Sequence, residues 1–243
     1  MKNKIFTTTV ILLFLGLSHS ATSQNFGLSF SYFVPKHGYM STPISPFSIR
    51  GIGKDINRFL AIETGASLYR MSGLGMKDLP LQSKSPFIGP NYTIFVPLEL
   101  VFQLKGNGVQ FDIKGGGFFF YGFDQKLNYG NIDKSIRELE SWQVANSSLT
   151  FKNQPGFGYH TGAELTFSVT QQVGVSLEAN YLVGQSKFPL QGSYTGYNGT
   201  DIETKPVDYK DAKIDFTGYE FSIGLIFDAG SGPAPKNKRR RRR

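Results

Sequence analysis

The sequence contains no cysteine, one tryptophan and three histidines in 243 residues. Without cysteine there are no disulfide frameworks, thiolate metal sites, Cys nucleophiles or lipid-modified N-terminal Cys. Long hydrophobic runs are also missing, and a spanning helix needs roughly 20 apolar residues. What remains is a chain with 40% hydrophobic and 14% aromatic residues, too apolar for disorder and without a collagen or heptad period. Its length suits one domain, or two small ones at most.

The formal net charge is +8, but the charge is concentrated at the two ends. Lys2 and Lys4 lie in a leader, and Lys236, Lys238 and Arg239 to Arg243 lie in a tail. Setting those nine aside leaves 17 basic residues against 18 acidic ones. A nucleic-acid-binding domain carries its basic residues on a folded face, so no nucleic-acid partner is expected.

Residues 1–23 open with basic residues, continue through an apolar run from Val10 to Leu17, and end in small polar residues. Ala21 and Ser23 fit a small-x-small cleavage signal, leaving Gln24 first in the mature chain. Such a leader leaves a secreted, periplasmic or outer-membrane location, which the strand pattern below narrows to the expected one, the cell outer membrane of a Gram-negative envelope. Residues 24–229 are then the domain. Residues 230–243, a Gly/Pro linker followed by like charges, are expected to be a disordered basic periplasmic tail.

Between the ends, apolar residues recur at every second position. Examples are Phe26, Leu28, Phe30, Tyr32 and Val34; Tyr92, Ile94, Val96, Leu98, Leu100, Phe102 and Leu104; and Tyr219, Phe221, Ile223, Leu225 and Phe227. This period belongs to strands. The windows number eight: about 25–34, 46–54, 59–70, 92–104, 109–122, 157–169, 173–184 and 213–228. Short connections at 55–58, 105–108 and 171–172 alternate with long ones at about 35–45, 71–91, 123–156 and 185–212. The expected fold is all-β, an eight-stranded antiparallel up-and-down transmembrane β-barrel with short periplasmic turns and long extracellular loops. Both termini would be periplasmic. Aromatic residues near strand ends, Phe26, Tyr32, Phe59, Tyr69, Tyr92, Tyr121, Phe157, Tyr181 and Phe227, would form interfacial girdles.

Soluble β-sandwiches and lipocalin-like barrels alternate too, with the apolar face inward. Two features favour the membrane barrel. The polar faces are rich in Gly and Ser, which suits a cramped lumen. Their charges also pair across strands in simple hairpin registers, with Arg50 opposite Glu63 and Glu99 opposite Lys114, and buried charges persist only when paired.

The segment Tyr92-Thr-Ile-Phe-Val-Pro-Leu-Glu-Leu100, followed by a short turn and a Gly-rich strand, resembles the Bacteroidota outer-membrane β-barrel family that includes PorT-like proteins. The resemblance covers roughly residues 24–228, and the leader ending Ala-Thr-Ser-Gln is similar as well. It implies an outer-membrane barrel, in a family that includes secretion components and subunits of larger machines. The pentaarginine tail departs from barrels that end at their last strand's aromatic residue, here Phe227.

The lumen set expected from this parity is Arg50, Glu63, Glu99, Asp112, Lys114, His160, Glu164, Glu178 and Glu220, forming a plug of ion pairs; the functional alternative is a proton or ion path. His160 and Glu164 with Ser176 and Glu178 raise a Ser–His–acid site, but these residues face a packed lumen and no Gly-x-Ser-x-Gly elbow exists. No catalytic, cofactor-binding or metal residues are assigned, and no small-molecule substrate is inferred. Residues 132–144 break the period, with Asp133 as a helix cap and Trp142 at the helix end. This helix either packs on the barrel rim or docks a partner. Candidate partner-binding residues are Trp142, Lys236, Lys238, Arg239, Arg240, Arg241, Arg242 and Arg243. The expected partners are outer-membrane lipid and other outer-membrane or periplasmic proteins. The expected function is a non-enzymatic anchor or accessory subunit, with a small pore and a barrel enzyme acting on lipid or peptide as alternatives.

Overall fold

The computed structural model describes residues 25–41, 48–170 and 172–228. The leader and the basic tail, with Lys236 to Arg243, lie outside the described residues. In chain order the elements are β1 (Asn25–Pro35), β2 (Gly38–Tyr39), β3 (Ser48–Asp55), β4 (Leu60–Met71), β5 (Gly73–Leu74), β6 (Met76–Lys77), β7 (Asn91–Lys105) and β8 (Val109–Phe123). There follow α1 (Tyr129–Glu140), β9 (Val144–Phe151), β10 (Gly156–Ser168), β11 (Val173–Lys187), β12 (Leu190–Tyr197), β13 (Ile202–Tyr209), β14 (Lys213–Asp215) and β15 (Gly218–Asp228).

Eight of these strands close a barrel. The order β10-β8-β7-β4-β3-β1-β15-β11 returns to β10 through a β10–β11 pairing, and every pair is antiparallel. Closure gives each barrel strand a hydrogen-bonded neighbour on both sides, which is how a barrel satisfies its backbone groups. Local chemistry makes the short turns. Asn57 Oδ1 accepts the amides of Phe59 and Leu60 at 2.8 and 3.0 Å, and Gly108 takes the left-handed φ of 78° that ends the 106–108 turn.

Pro97 sits inside β7 at a local gap in the ladder. The β4–β7 register is continuous, but its pairing lapses between Thr64↔Leu98 and Ser67↔Phe95, where Pro97 has no N–H to donate. The Thr64 hydroxyl donates to the Pro97 carbonyl at 2.6 Å and takes up its acceptor.

Both simple hairpin registers are corrected. Glu63 lies opposite Gly53, not Arg50, because the β3–β4 turn is wider and a bulge falls between Ile49 and Ile52, with Gly51 at φ 69°. Glu99 lies opposite Gly116, and Lys114 opposite Val101, because the β7–β8 turn closes at Lys105↔Gln110. The 213–228 window also divides, into β14 and β15, with Phe216 and Thr217 between them.

The long connections carry structure that the period did not reveal. β9, β12 and β13 form a separate three-stranded sheet at the loop end of the barrel, and α1 packs against β9. The helix cap is Asn128, whose side chain accepts the Asn131 amide at 3.2 Å, rather than Asp133. Asp133 accepts the Ser147 amide (2.9 Å) and hydroxyl (2.5 Å), fastening α1 to β9. Ile132 and Ile136 are fully buried beneath it.

Candidate functional site: the filled lumen and the loop-end domain

The barrel is apolar on the outside. Leu28, Phe30, Ile62, Leu98, Leu100, Ile113, Leu177, Ile223 and Leu225 are all exposed on outward positions. Phe26, Phe59, Phe102, Phe111 and Phe167 ring this aliphatic zone at the turn end; Tyr121, Tyr159, Tyr181 and Tyr219 ring it at the loop end. Of the aromatics expected there, Tyr69 is corrected: it points inward and is buried, with its hydroxyl bonded to Glu220.

The inside is charged. Arg50, Glu99, Asp112, Lys114, His160, Glu164, Glu178 and Glu220 are each at most 5% exposed, and Glu63 is largely buried. Two cations organise them. Arg50 bonds Glu220 and lies 3.9 Å from Glu178. Lys114 bonds Glu164 and lies 3.6 Å from Glu178 and 3.9 Å from Glu63. Glu178 thus sits between the two cations and joins the two groups. Asn180 donates to Glu178 and Glu220 at 2.9 and 2.8 Å, and Gln110 donates to Asp112. A cavity of about 120 Å³ opens among Arg50, Glu63, Gln110, Asp112 and Glu164 at the turn end.

His160 marks the upper limit of this network. Its Nε2 lies 3.5 Å from Glu99, and its ring packs on Phe95 and Phe118. Ser176 is not beside it: Ser176 pairs with Thr166, and His160 with Leu182, so no Ser–His–acid geometry forms.

Above His160 the interior becomes aromatic, which sequence reasoning missed. Phe216 is fully buried; its ring centroid lies 4.4 Å from those of Phe33 and Phe120, 6.1 Å from Phe118, 6.4 Å from Phe95 and 6.5 Å from Tyr69. Glycines make room for these rings: a Cβ on Gly158 or Gly184 would strike Phe118, and one on Gly156 would strike Phe120. The available signal was parity, since Phe33, Tyr69, Phe95, Phe118 and Phe120 share the strand face of the charges.

The architecture has solved counterparts. The outer membrane protein OprG from Pseudomonas aeruginosa aligns over 84% of this chain and 95% of its own, at 12% identity and a TM-score of 0.52. Less similar are Ail, the attachment invasion locus protein of Yersinia pestis (10% identity, 84% of this chain and 94% of its own, TM-score 0.37), and the outer membrane protein AlkL (10%, 88% and 94%, 0.38). No protein-family model and no curated protein matches the sequence. At such identity the likeness to OprG establishes the barrel fold alone.

The loop-end domain has its own polar centre. The Tyr194 hydroxyl donates to Glu140 at 2.6 Å, and Lys205 bonds the same carboxylate. Hydrogen bonds from Lys205 and then Tyr194 hold the Glu140 carboxyl below its ordinary range, and Lys205 is raised by the same contact. Burial, followed by the bond to Glu140, pushes the Tyr194 hydroxyl well up. Trp142 is 7% exposed, edge-on to Tyr194 at 5.6 Å, with the Lys205 ammonium 5.3 Å from its ring. Trp142 therefore lies inside this domain, holding α1 to the sheet, rather than on a surface open to a partner.

Proposed function

We propose that the chain is an integral outer-membrane β-barrel protein without catalytic activity, an anchor or accessory subunit of a larger envelope assembly. Its turns and termini face the periplasm, and its loops or the basic stretch Lys236–Arg243 meet partner proteins. The observation that carries the membrane reading is the outward belt, aliphatic in the middle and aromatic at both edges, around an interior of charges and rings. Such a surface is costly in water and favourable in a bilayer, where aromatic residues settle at the interfaces. Along β1 the belt runs from Phe26 to Val34, within the roughly 9–11 residues that a tilted transmembrane strand needs.

The resemblance of Tyr92–Leu100 to the PorT-like strand supports membership of that Bacteroidota family. The ion pairs and stacked rings across the lumen favour an anchor over a pore. Membrane fractionation and planar-bilayer recording test the two parts separately. Recovery in the outer-membrane fraction, with release by detergent only, is expected. A monomer soluble in plain buffer overturns the membrane reading, and a steady open conductance overturns the anchor reading in favour of the pore.

A further inference from the structure

The loop end carries a basic cleft that none of the roles above uses. Two cavities of about 450 and 460 Å³ share the segment Gln82 to Ser85. One is fronted by Lys36, His37, Lys77 and Lys84; the other reaches Lys134 and Glu138 on α1. Lys36, Lys84 and Lys134 have no carboxylate partner among the described residues. Nearby acids are already engaged: Asp78 with Lys213 at 2.7 Å, and Asp215 with His37 and Lys77 at 2.8 Å each. Glu138 is the one acid on the cleft wall.

The cleft wall is held in place from beneath. The Asp215 side chain is completely buried, so it fixes His37 Nδ1 and Lys77 Nζ from below while both side chains remain about half exposed, at 54% and 44%. Burial raises the Asp215 carboxyl, but its bonds to Lys77, Thr217 and His37 outweigh that and leave it below the ordinary value. The Gly75 amide donates to the His37 carbonyl at 2.6 Å, and a Cβ on Gly75 would strike His37, so the two walls meet in close backbone contact. The cleft thus combines two positioned bases, three uncompensated ammonium groups and the hydroxyls of Ser83 and Ser85.

We propose that this cleft binds a phosphate-bearing ligand. Clustered ammonium groups hold phosphates as point charges, and a phosphate's several oxygens can accept from the ammonium groups and the serine hydroxyls together. Lys36 directly follows β1, whose outward Tyr32 and Val34 belong to the apolar belt. The cleft therefore stands at the height where phosphorylated lipid headgroups meet a barrel, and a free phosphorylated solute would reach it from outside. The headgroup source rests on the membrane reading; the phosphate chemistry does not.

The test uses the full chain in neutral detergent micelles, read by Trp142 fluorescence and thermal unfolding, with inorganic pyrophosphate as one probe and micelle-incorporated diphosphoryl lipid A as the other. A triple variant, Lys36→Gln/Lys84→Gln/Lys134→Gln, is compared with the wild type, and heat-modifiable migration confirms that both are folded barrels. Saturable binding is expected, weakened at least roughly tenfold in the variant, which loses three of the cleft's ammonium charges. Binding of lipid A alone assigns the headgroup; binding of pyrophosphate, with competition between the two, assigns a solute phosphate. Binding of neither probe, or equal binding by the triple variant, overturns the proposal. Failure of outer-membrane fractionation with pyrophosphate binding intact would overturn the membrane reading alone.

Discussion

Arg50 donates to Glu220 across the width of β1, since β3 and β15 both border that strand and do not pair with each other. The contact spans β1 from the level of Gly27, which pairs with Arg50, to that of Phe33, which pairs with Glu220, and the inward residues between them are the small Ser29 and Ser31. Removing one partner leaves a buried charge without its counterion, which costs about 3–5 kcal/mol. Arg50→Met and Glu220→Gln should therefore each lower the urea midpoint of the lipid-reconstituted barrel. The double variant should lose less than the sum of the two. Additive losses in that cycle would mean the pair is not coupled.

Phe216 is the ring on which the upper lumen closes. Phe216→Ala removes a fully buried aromatic and should cost about 3–5 kcal/mol. Because its neighbours Phe118 and Phe120 cannot fill the gap without leaving their recesses over Gly158, Gly184 and Gly156, the variant should also show brief conductance openings in planar bilayers. A silent variant of reduced stability would place the barrier lower, among the ion pairs.

Leu98 is 63% exposed at the centre of the outward belt. In water, Leu98→Arg would be nearly neutral. Facing hydrocarbon near the midplane, it should destabilise the folded barrel by about 2–4 kcal/mol. Folding titrations in lipid vesicles separate the two cases directly.

The loop-end domain should loosen in acid. Glu140 is held below its ordinary value in the folded state by Lys205 and Tyr194, so its contribution is complete above the unfolded carboxyl range. That contribution is lost as pH falls through the lower folded value. Trp142, the sole tryptophan, lies in this cluster and reports it. Its emission should change only below the ordinary glutamate range of about pH 4.3, and Glu140→Gln should remove that transition. An unchanged acid transition in Glu140→Gln would assign it to another group.

The number of barrel strands, their parity and the outward belt were legible because period-2 alternation is local: each Leu or Phe of β7 declares its face through its two neighbours. The charges of the lumen were legible for the same reason, since Arg50, Glu99, Lys114 and Glu178 occupy the opposite parity. Their partners were not. Pairing depends on turn length and on the bulge at Gly51, and a shift of two or three residues moves Glu63 from Arg50 to Lys114.

The sequence by itself determined that this chain closes eight alternating strands with greasy residues on one face and glycine, serine and charge on the other. Tertiary structure alone decided that Arg50 reaches Glu220, that five inward rings gather on Phe216, and that β9, β12 and β13 assemble with α1 into a domain above the barrel. Alternation is set by neighbours along the chain. Contacts across a closed cylinder depend on register and curvature accumulated over every strand, which no short window contains.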